Sequence, residues 1–146
     1  MEDINIQTLG YFIFRVLSNM IKLLNYELTK RGLELQYPQF AMMMVLSKRE
    51  GLTQAEMTNI VERDKASVSR NITYLEEKGY VRRSMDGGKK KCLFLTEKGK
   101  AIIPELYSIA TKNKETVLQG FSDEERRTVT KMLERMFLNV TSATWQ

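Results

Sequence analysis

The sequence predicts a mainly α-helical fold that carries one small β-hairpin. Six segments place apolar residues at the three- and four-residue spacing of a helix face, and a pair of short β-prone runs separates the fourth segment from the fifth. The length of 146 residues and the 42% hydrophobic content suit one globular domain with a sizeable core. The longest apolar stretch is far shorter than a membrane span, so we expect a soluble protein.

The first two helices are predicted from this apolar periodicity. The first carries apolar residues from Leu9 to Leu28 and ends near Gly32, because glycine readily adopts the conformation that follows a last helical turn. The second follows the extended residues 36–38 and ends near Gly51.

The third and fourth helices begin at capping residues. Thr53 and Glu56 have the spacing of a capping box, in which the two side chains satisfy free backbone amides reciprocally. Asp64 is the predicted cap of the fourth helix, which ends at Lys78-Gly79. The predicted inner face of this helix consists of Val68, Ile72 and Leu75.

The periodicity then changes to that of a hairpin. Residues 80–83 and 92–95 are β-prone runs on either side of a polar loop that contains Gly87-Gly88. Thr96 opens a fifth helix, which we expect to bend at Pro104 because proline lacks an amide donor and crowds the preceding turn.

The sixth helix is predicted from a cap and a regular apolar stripe. Gly120 ends the fifth helix, residues 122–125 form another capping box, and apolar residues recur from Val129 to Val140. The first and last helices carry stripes broader than a domain of this size can cover alone. We therefore expect a homodimer.

The element order matches a winged helix-turn-helix, in which the second helix of the pair enters the major groove of DNA. We assign residues 35–100 to this DNA-binding domain, with the recognition helix at about 64–78 and the wing at about 80–95. Residues 1–34 and 101–146 form the predicted helical dimerisation region.

The composition excludes most enzyme chemistry. The chain has no histidine and one cysteine, so it has no Ser-His or Cys-His nucleophile pair and no zinc site of the usual kind. Its acidic residues lie mainly at helix starts and on polar faces. We expect no enzymatic activity, no metal and no cofactor. The single cysteine and the absence of a signal segment predict a cytoplasmic protein.

The positive charge is concentrated in one quarter of the chain. Residues 64–100 hold ten Lys/Arg against five Asp/Glu, and the remainder holds thirteen of each. This distribution is typical of a face that meets a polyanion, although a solvated lysine-rich loop would give the same count.

On the side opposite its inner face, the fourth helix carries small, hydrogen-bonding and basic side chains. Such side chains can approach phosphates and base edges. The hairpin adds basic residues for phosphates or the minor groove. The predicted DNA-binding residues are Thr53, Gln54, Lys65, Ala66, Ser67, Ser69, Arg70, Asn71, Thr73, Arg83, Lys89, Lys90 and Lys91.

Five runs of sequence carry a family resemblance. They are Leu52–Met57, Asp64–Arg70, Tyr74–Arg83, Leu95–Gly99 and Phe121–Glu125. Together they resemble the MarR family of prokaryotic transcription regulators. The resemblance implies a homodimer with interlocked first, fifth and sixth helices that binds a pseudo-palindromic operator and represses transcription. It also implies release of DNA by a small lipophilic or aromatic effector bound between the dimerisation and DNA-binding lobes.

Two segments depart from the family pattern. Residues 86–91 carry lysines where the family wing commonly has arginines, which predicts weaker and more electrostatic contacts at the wing tip. Glu62-Arg63 replaces a glycine and an apolar residue in the turn before the recognition helix.

Six residues lie on helices that the family uses to line its effector crevice, although aromatics and methionines at helical spacing also build ordinary cores. They are Tyr11, Phe12, Arg15, Tyr37, Phe40 and Met44. Arg15 could pair with an acidic ligand, with Glu27 or with an acid of another chain.

The sequence is compatible with two alternative functions. Cys92 is either a small apolar residue of the wing or the sensor of a redox-responsive regulator. The winged helix could also be a module that binds a protein partner.

Overall fold

A computed structural model describes residues 6–86 and 89–143. Over these residues the chain forms six helices and three strands, and the helices and the two hairpin strands follow the order expected from the sequence. The elements are α1 (Ile6–Lys30), α2 (Tyr37–Lys48), β1 (Leu52–Thr53), α3 (Gln54–Val61), α4 (Lys65–Glu77), β2 (Val81–Asp86), β3 (Lys90–Leu95), α5 (Glu97–Val117) and α6 (Asp123–Ser142). None of the described helices combines the length and apolar character needed to cross a membrane.

The strands form one antiparallel sheet in the order β1-β3-β2. The predicted hairpin is confirmed, but its strands extend farther toward the tip than predicted, with Asp86 paired to Lys90. The sequence did not predict β1, because two residues are too few to show strand periodicity. Its pairing of Leu52 with Leu93 makes β3 the central strand. The glycines of the loop, Gly87-Gly88, lie outside the described residues.

The buried core lies mainly in α2 to α4, the sheet and α5. The predicted inner face of α4 is confirmed, since Val68, Ile72 and Leu75 are all at most 1% exposed. They pack in one apolar cluster with side chains of the preceding helices and the sheet, among them Met43, Met57 and Leu93.

Two predicted caps form fully and one forms in part. Asp64 accepts a hydrogen bond from the amide of Ser67 at 2.8 Å, and this interaction lowers the pKa of the Asp64 carboxyl. At Ser122 both bonds of the capping box are present.

At the start of α3 only one of the two hydrogen bonds of the predicted capping box forms. The Thr53 hydroxyl accepts from the amide of Glu56 at 3.2 Å, as predicted. The Glu56 carboxylate instead pairs with Arg49 at 3.3 Å, because this cation lies within its reach.

The junction between the sheet and α5 depends on Thr96 and Gly99. The Thr96 hydroxyl donates to the carbonyl of Gly79 and accepts from the amide of Gly99, which joins the end of α4 to the start of α5. A Cβ atom at buried Gly99 would overlap with the carbonyl oxygen of Tyr80. The run Leu95–Gly99 therefore has a structural role. The helix continues through Pro104 to Val117.

The chain divides into two compact units, residues 1–113 and residues 114–146. Within the first unit, the buried carboxylate of Glu27 pairs with Lys112 at 2.8 Å and with Arg31 at 3.7 Å. The hydrogen bond from Lys112 is the main cause that lowers the pKa of the Glu27 carboxyl. Within the second unit, Arg126 binds the carboxylate of Glu115 with two contacts of 2.9 and 3.0 Å.

The two terminal helices leave large apolar side chains exposed. No residue of α6 is buried, and five of its stripe residues or their neighbours are about half exposed: Met132, Leu133, Phe137, Leu138 and Val140. The N-terminal half of α1 likewise exposes Leu9, Tyr11, Phe12, Ile13, Phe14, Val16 and Leu17.

Candidate nucleic-acid interface

The turn between α3 and α4 sets the direction in which the candidate recognition helix, α4, begins. Glu62 ends α3 with φ 51° and ψ 43°, the left-handed conformation that glycine adopts most easily. The chain then enters α4 at its cap, Asp64. The turn at Glu62-Arg63 therefore forms without a glycine, because Glu62 itself adopts the left-handed conformation.

One face of α4 is exposed opposite the core. Lys65, Ala66, Arg70 and Thr73 are exposed, and Ser67 and Ser69 are partly buried. Arg70 donates to the hydroxyl of Ser67 at 3.1 Å, so its guanidinium lies back along the helix surface. From Lys65 to Thr73 the helix carries no acid, which leaves this face positively charged.

Asn71 differs from these residues because its side chain is occupied within the chain. Its Oδ1 accepts from Gln39 at 2.7 Å, and its Nδ2 donates to the carbonyl of Ser67 at 2.9 Å. A base contact by Asn71 would require both bonds to be replaced.

Two other predicted residues, Gln54 and Arg83, meet in a polar cluster between α3, α4 and β2. The guanidinium of Arg83 donates to the carboxylate of Glu76 at 2.9 Å and to the amide oxygen of Gln54 at 3.4 Å. Glu76 therefore neutralises a cation that the sequence assigned to DNA. Glu76 had no predicted role, and its position seven residues before Arg83 gave no signal of the pairing.

The neighbouring Arg82 lies on the other face of the sheet, because side chains alternate along a strand. Its guanidinium is 4.7 Å from the centroid of the Phe94 ring, its cross-strand partner. Its exposure leaves the charge available to solvent.

The wing tip carries three consecutive exposed cations. Lys89, Lys90 and Lys91 are exposed, and none forms an ion pair within 4.0 Å with a side chain of residues 8–85 or 89–143. Three adjacent exposed cations repel one another and attract a polyanion.

Cys92 lies inside the sheet and is 3% exposed. On β3 it is paired with Thr53 of β1 and with Ser84 of β2. Burial keeps oxidants away from its sulfur, which favours the interpretation of Cys92 as a small apolar residue.

The six predicted effector residues fall into two groups in different environments. Tyr11, Phe12 and Arg15 line a shallow depression on the exposed surface of α1, with Arg15 donating to the Tyr11 hydroxyl at 3.1 Å. In contrast, Phe40 is buried in the apolar core cluster, and Tyr37 and Met44 are partly buried residues packed against that cluster. The second group does not line the depression on α1.

The alternative pairing of Arg15 with Glu27 is wrong. The Glu27 carboxylate is already bound by Lys112 and Arg31 in the buried part of the first unit. Arg15 instead lies over the ring of Tyr11, with 5.6 Å between the guanidinium carbon and the ring centroid.

Comparison with known proteins gives one consistent result. A family model described as the MarR family matches residues 31–91. The uncharacterized HTH-type transcriptional regulator YybA of Bacillus subtilis strain 168 is 30% identical over 112 residues, which cover 75% of each chain.

Solved structures support the same fold. A MarR transcriptional regulator from Methanosarcina mazei Go1 superposes with a TM-score of 0.87 at 28% identity, covering 96% of this chain and 94% of that chain. A cysteine-to-serine mutant of MarR from E. coli, complexed with operator DNA, has a TM-score of 0.78 at 21% identity over 88% of this chain and 92% of that chain. The predicted winged helix-turn-helix is thus confirmed, and the chain belongs to the MarR family of transcriptional regulators.

Proposed function

We propose that the protein binds double-stranded DNA sequence-specifically through α4 and the wing, and acts as a repressor. The observation that carries this proposal is the acid-free, exposed face of α4, which presents Arg70 among small side chains. Small residues let the helix backbone approach base edges, and arginine can bind guanine with two hydrogen bonds. The exposed lysines 89–91 would bind phosphates beside this contact.

The operator would be a pseudo-palindrome read by a homodimer. The exposed apolar residues of α1 and of α6 support dimerisation, because monomeric soluble proteins seldom leave such large apolar patches in water. A two-fold dimer would present two recognition helices to half-sites about 34 Å apart. The related fold of the E. coli MarR mutant, which was solved with operator DNA, supports this mode of binding.

The experiment is a fluorescence anisotropy titration with an operator first selected from genomic fragments. Arg70→Ala should weaken operator binding by about 10- to 100-fold and leave binding to random duplex nearly unchanged, because it removes a base contact. Lys89→Ala should weaken both duplexes alike and lower the salt slope by about 1.

Lys22→Ala is the matched control, since Lys22 is an exposed cation of α1 outside the proposed interface. It should bind like the parent. If Arg70→Ala and Lys89→Ala also bind like the parent, the interface is assigned to the wrong face. If the parent retains no double-stranded DNA at low salt, a protein-binding role for the winged helix takes its place.

We further propose that a small aromatic or lipophilic anion releases the DNA by binding near Tyr11, Phe12 and Arg15. Aromatic rings beside one cation are suited to such a ligand. Phe40 and its neighbours Tyr37 and Met44 would contribute only if the core opens toward the ligand.

Sodium benzoate is a suitable probe of this effector role. It should lower operator affinity of the parent and have a smaller effect on Arg15→Ala. Equal responses of the two proteins would contradict the assignment. The redox alternative is tested in the same assay, because it requires peroxide to abolish binding by the parent but not by Cys92→Ser.

A further inference from the structure

A chain of hydrogen bonds joins the start of α2 to the recognition helix. The amide oxygen of Gln39 accepts from the backbone of Gln36 at 2.7 Å, and its amide nitrogen donates to Oδ1 of Asn71 at 2.7 Å. Asn71 then donates to the carbonyl of Ser67 at 2.9 Å. The amide nitrogen and oxygen of both side chains, Gln39 and Asn71, each have a complementary hydrogen-bond partner. The orientation of both side-chain amides is therefore determined.

A second set of contacts lies closer to the end of the same helix. The hydroxyl of Tyr74 donates to the backbone carbonyl of Glu34 at 2.6 Å. The ammonium of Lys78, the residue that caps α4, pairs with the Glu34 carboxylate and lies 5.5 Å from the centroid of the Tyr74 ring.

The residues that make these contacts share one stripe of the helix. Asn71, Tyr74 and Lys78 are spaced three and four apart, so they lie on one side of α4. This side differs from the buried face at Val68 and Ile72 and from the exposed face at Arg70. From position 71 to position 78 the helix rises about 10 Å, which gives two separated points of attachment to one short segment.

We propose that the segment Glu34–Gln39 is the mount of the recognition helix, and that Asn71 is a positioning residue and makes no base contact. Two attachments along the axis restrain both the tilt and the rotation of α4. The inference deepens the proposed function, on which it rests, because it assigns the residues that set the angle at which Arg70 meets DNA. It replaces the sequence-based assignment of Asn71 to the DNA-binding residues.

A double-mutant cycle tests the mount. Gln39→Met and Asn71→Leu each remove one amide while keeping a side chain of similar size, and the double variant removes both. Affinities for operator and random duplex are measured well below the lowest melting temperature among the variants. Gln119→Met is the control, because Gln119 is exposed and lies outside the mount.

Each single variant should weaken operator binding by about tenfold, because losing the partly buried hydrogen bond between Gln39 and Asn71 lets α4 leave its binding orientation. Binding to random duplex should stay unchanged, because phosphate contacts tolerate a small change of helix angle. The double variant should be no weaker than either single variant, since all three lose the same contact.

Three results would overturn the inference. Normal operator binding by Gln39→Met with a loss in Asn71→Leu would show that Asn71 contacts DNA itself. Additive losses would show that the two residues act independently. Equal losses on both duplexes would indicate a smaller folded fraction with no change in helix position.

Failure of the proposed function has a different signature, because the parent itself would then bind no duplex. In that case, amide hydrogen exchange tests whether the mount restrains α4. Faster exchange in α4 of Gln39→Met than in the parent would support the attachment, and unchanged exchange would contradict it.

Discussion

The winged part of the chain (residues 35–100) and the terminal helices α1 and α6 carry apolar stripes of the same periodicity. The stripes are buried in the winged part, and they are exposed in α6 and in the first half of α1. In α4 the stripe of Val68, Ile72 and Leu75 is completely covered. In α6 the stripe is just as regular, yet Leu133 is 49% exposed and Phe137 is 55% exposed. Periodicity therefore shows that a helix has an apolar face, but it does not show what covers that face.

The two regions consequently depend on different contacts for stability. Side chains of the same chain cover the apolar core of the winged part. The apolar residues of α6 and of the first half of α1 gain their burial only when a second surface meets them. Substitutions in the two regions should therefore affect different measurements.

The largest effect is expected from Gly99→Ala in the winged part. The added methyl group would overlap with the backbone carbonyl of Tyr80, which cannot move without disturbing the sheet. We expect a loss of about 2 to 4 kcal/mol in the free energy of unfolding, measured by urea denaturation at constant protein concentration.

Gly10→Ala is the matched control in a terminal helix. A Cβ atom at Gly10 has no neighbour within 4 Å, and alanine favours helix formation. We expect a gain of up to about 1 kcal/mol. Equal unfolding midpoints for the two alanine variants would contradict the close approach at Gly99.

A smaller effect on folding but a large effect on assembly is expected from Leu133→Asp. A carboxylate placed in an apolar interface loses its hydration without gaining a partner. The dissociation constant of the proposed homodimer, measured by sedimentation equilibrium, should rise at least about 100-fold. Circular dichroism should show the helices retained, because no side chain of α6 is buried within the chain.

Lys131→Asp is the control for this substitution. It lies roughly 200° around α6 from Leu133 and changes the charge by a larger amount. It should dimerise like the parent. If both aspartate variants remain dimeric, the apolar stripe of α6 does not form the interface.

A modest gain is expected from Glu62→Gly in the turn before the recognition helix. Glycine removes the steric cost of the left-handed conformation, but it also raises the entropy of the unfolded chain. The net gain should be about 1 kcal/mol or less in thermal unfolding. Glu50→Gly, at a residue outside the left-handed region, should instead lower stability slightly. A loss at both sites would contradict the strained turn.

The smallest effect concerns the pH dependence of the mount. The hydrogen bond from Lys78 lowers the pKa of the Glu34 carboxyl below its ordinary range. A carboxyl with a lowered pKa stabilises the folded state at neutral pH, and this contribution is lost as the pH falls through the folded-state pKa. The parent should therefore be slightly more stable than Glu34→Gln at pH 7.

Urea midpoints of the parent and of Glu34→Gln should converge between about pH 5 and pH 3. High salt at pH 7 should also reduce the difference, because the pair is exposed. A difference that is constant over this pH range would show that the ion pair of Glu34 with Lys78 does not contribute to stability, and no difference at pH 7 would show that Glu34 acts through its backbone carbonyl alone.

Local signals account for the features that the sequence predicted well. The caps at Asp64 and Ser122 and the inner face of α4 depend on residues within a few positions of one another. Short-range spacing was therefore sufficient to find them. The two-residue strand β1 was missed because its existence depends on pairing with Leu93 and Cys92, about 40 positions later.

The candidate site shows the same division. The exposed position of Arg70 follows from its place on the helix opposite the buried residues. The pairing of Arg83 with Glu76 and that of Asn71 with Gln39 depend on how separate elements meet. Arg83 and Asn71 were predicted to contact DNA from residue type alone. Their partners within the protein are visible only in the folded structure.

The sequence by itself determined the order of helices and hairpin, the caps and the location of the positive charge, because these properties arise from residues close together along the chain. Only the tertiary structure decided which polar side chains are occupied within the protein and which apolar faces are left uncovered. The reason is that hydrogen bonds, ion pairs and burial depend on distances in space, and those distances join residues that are far apart in sequence.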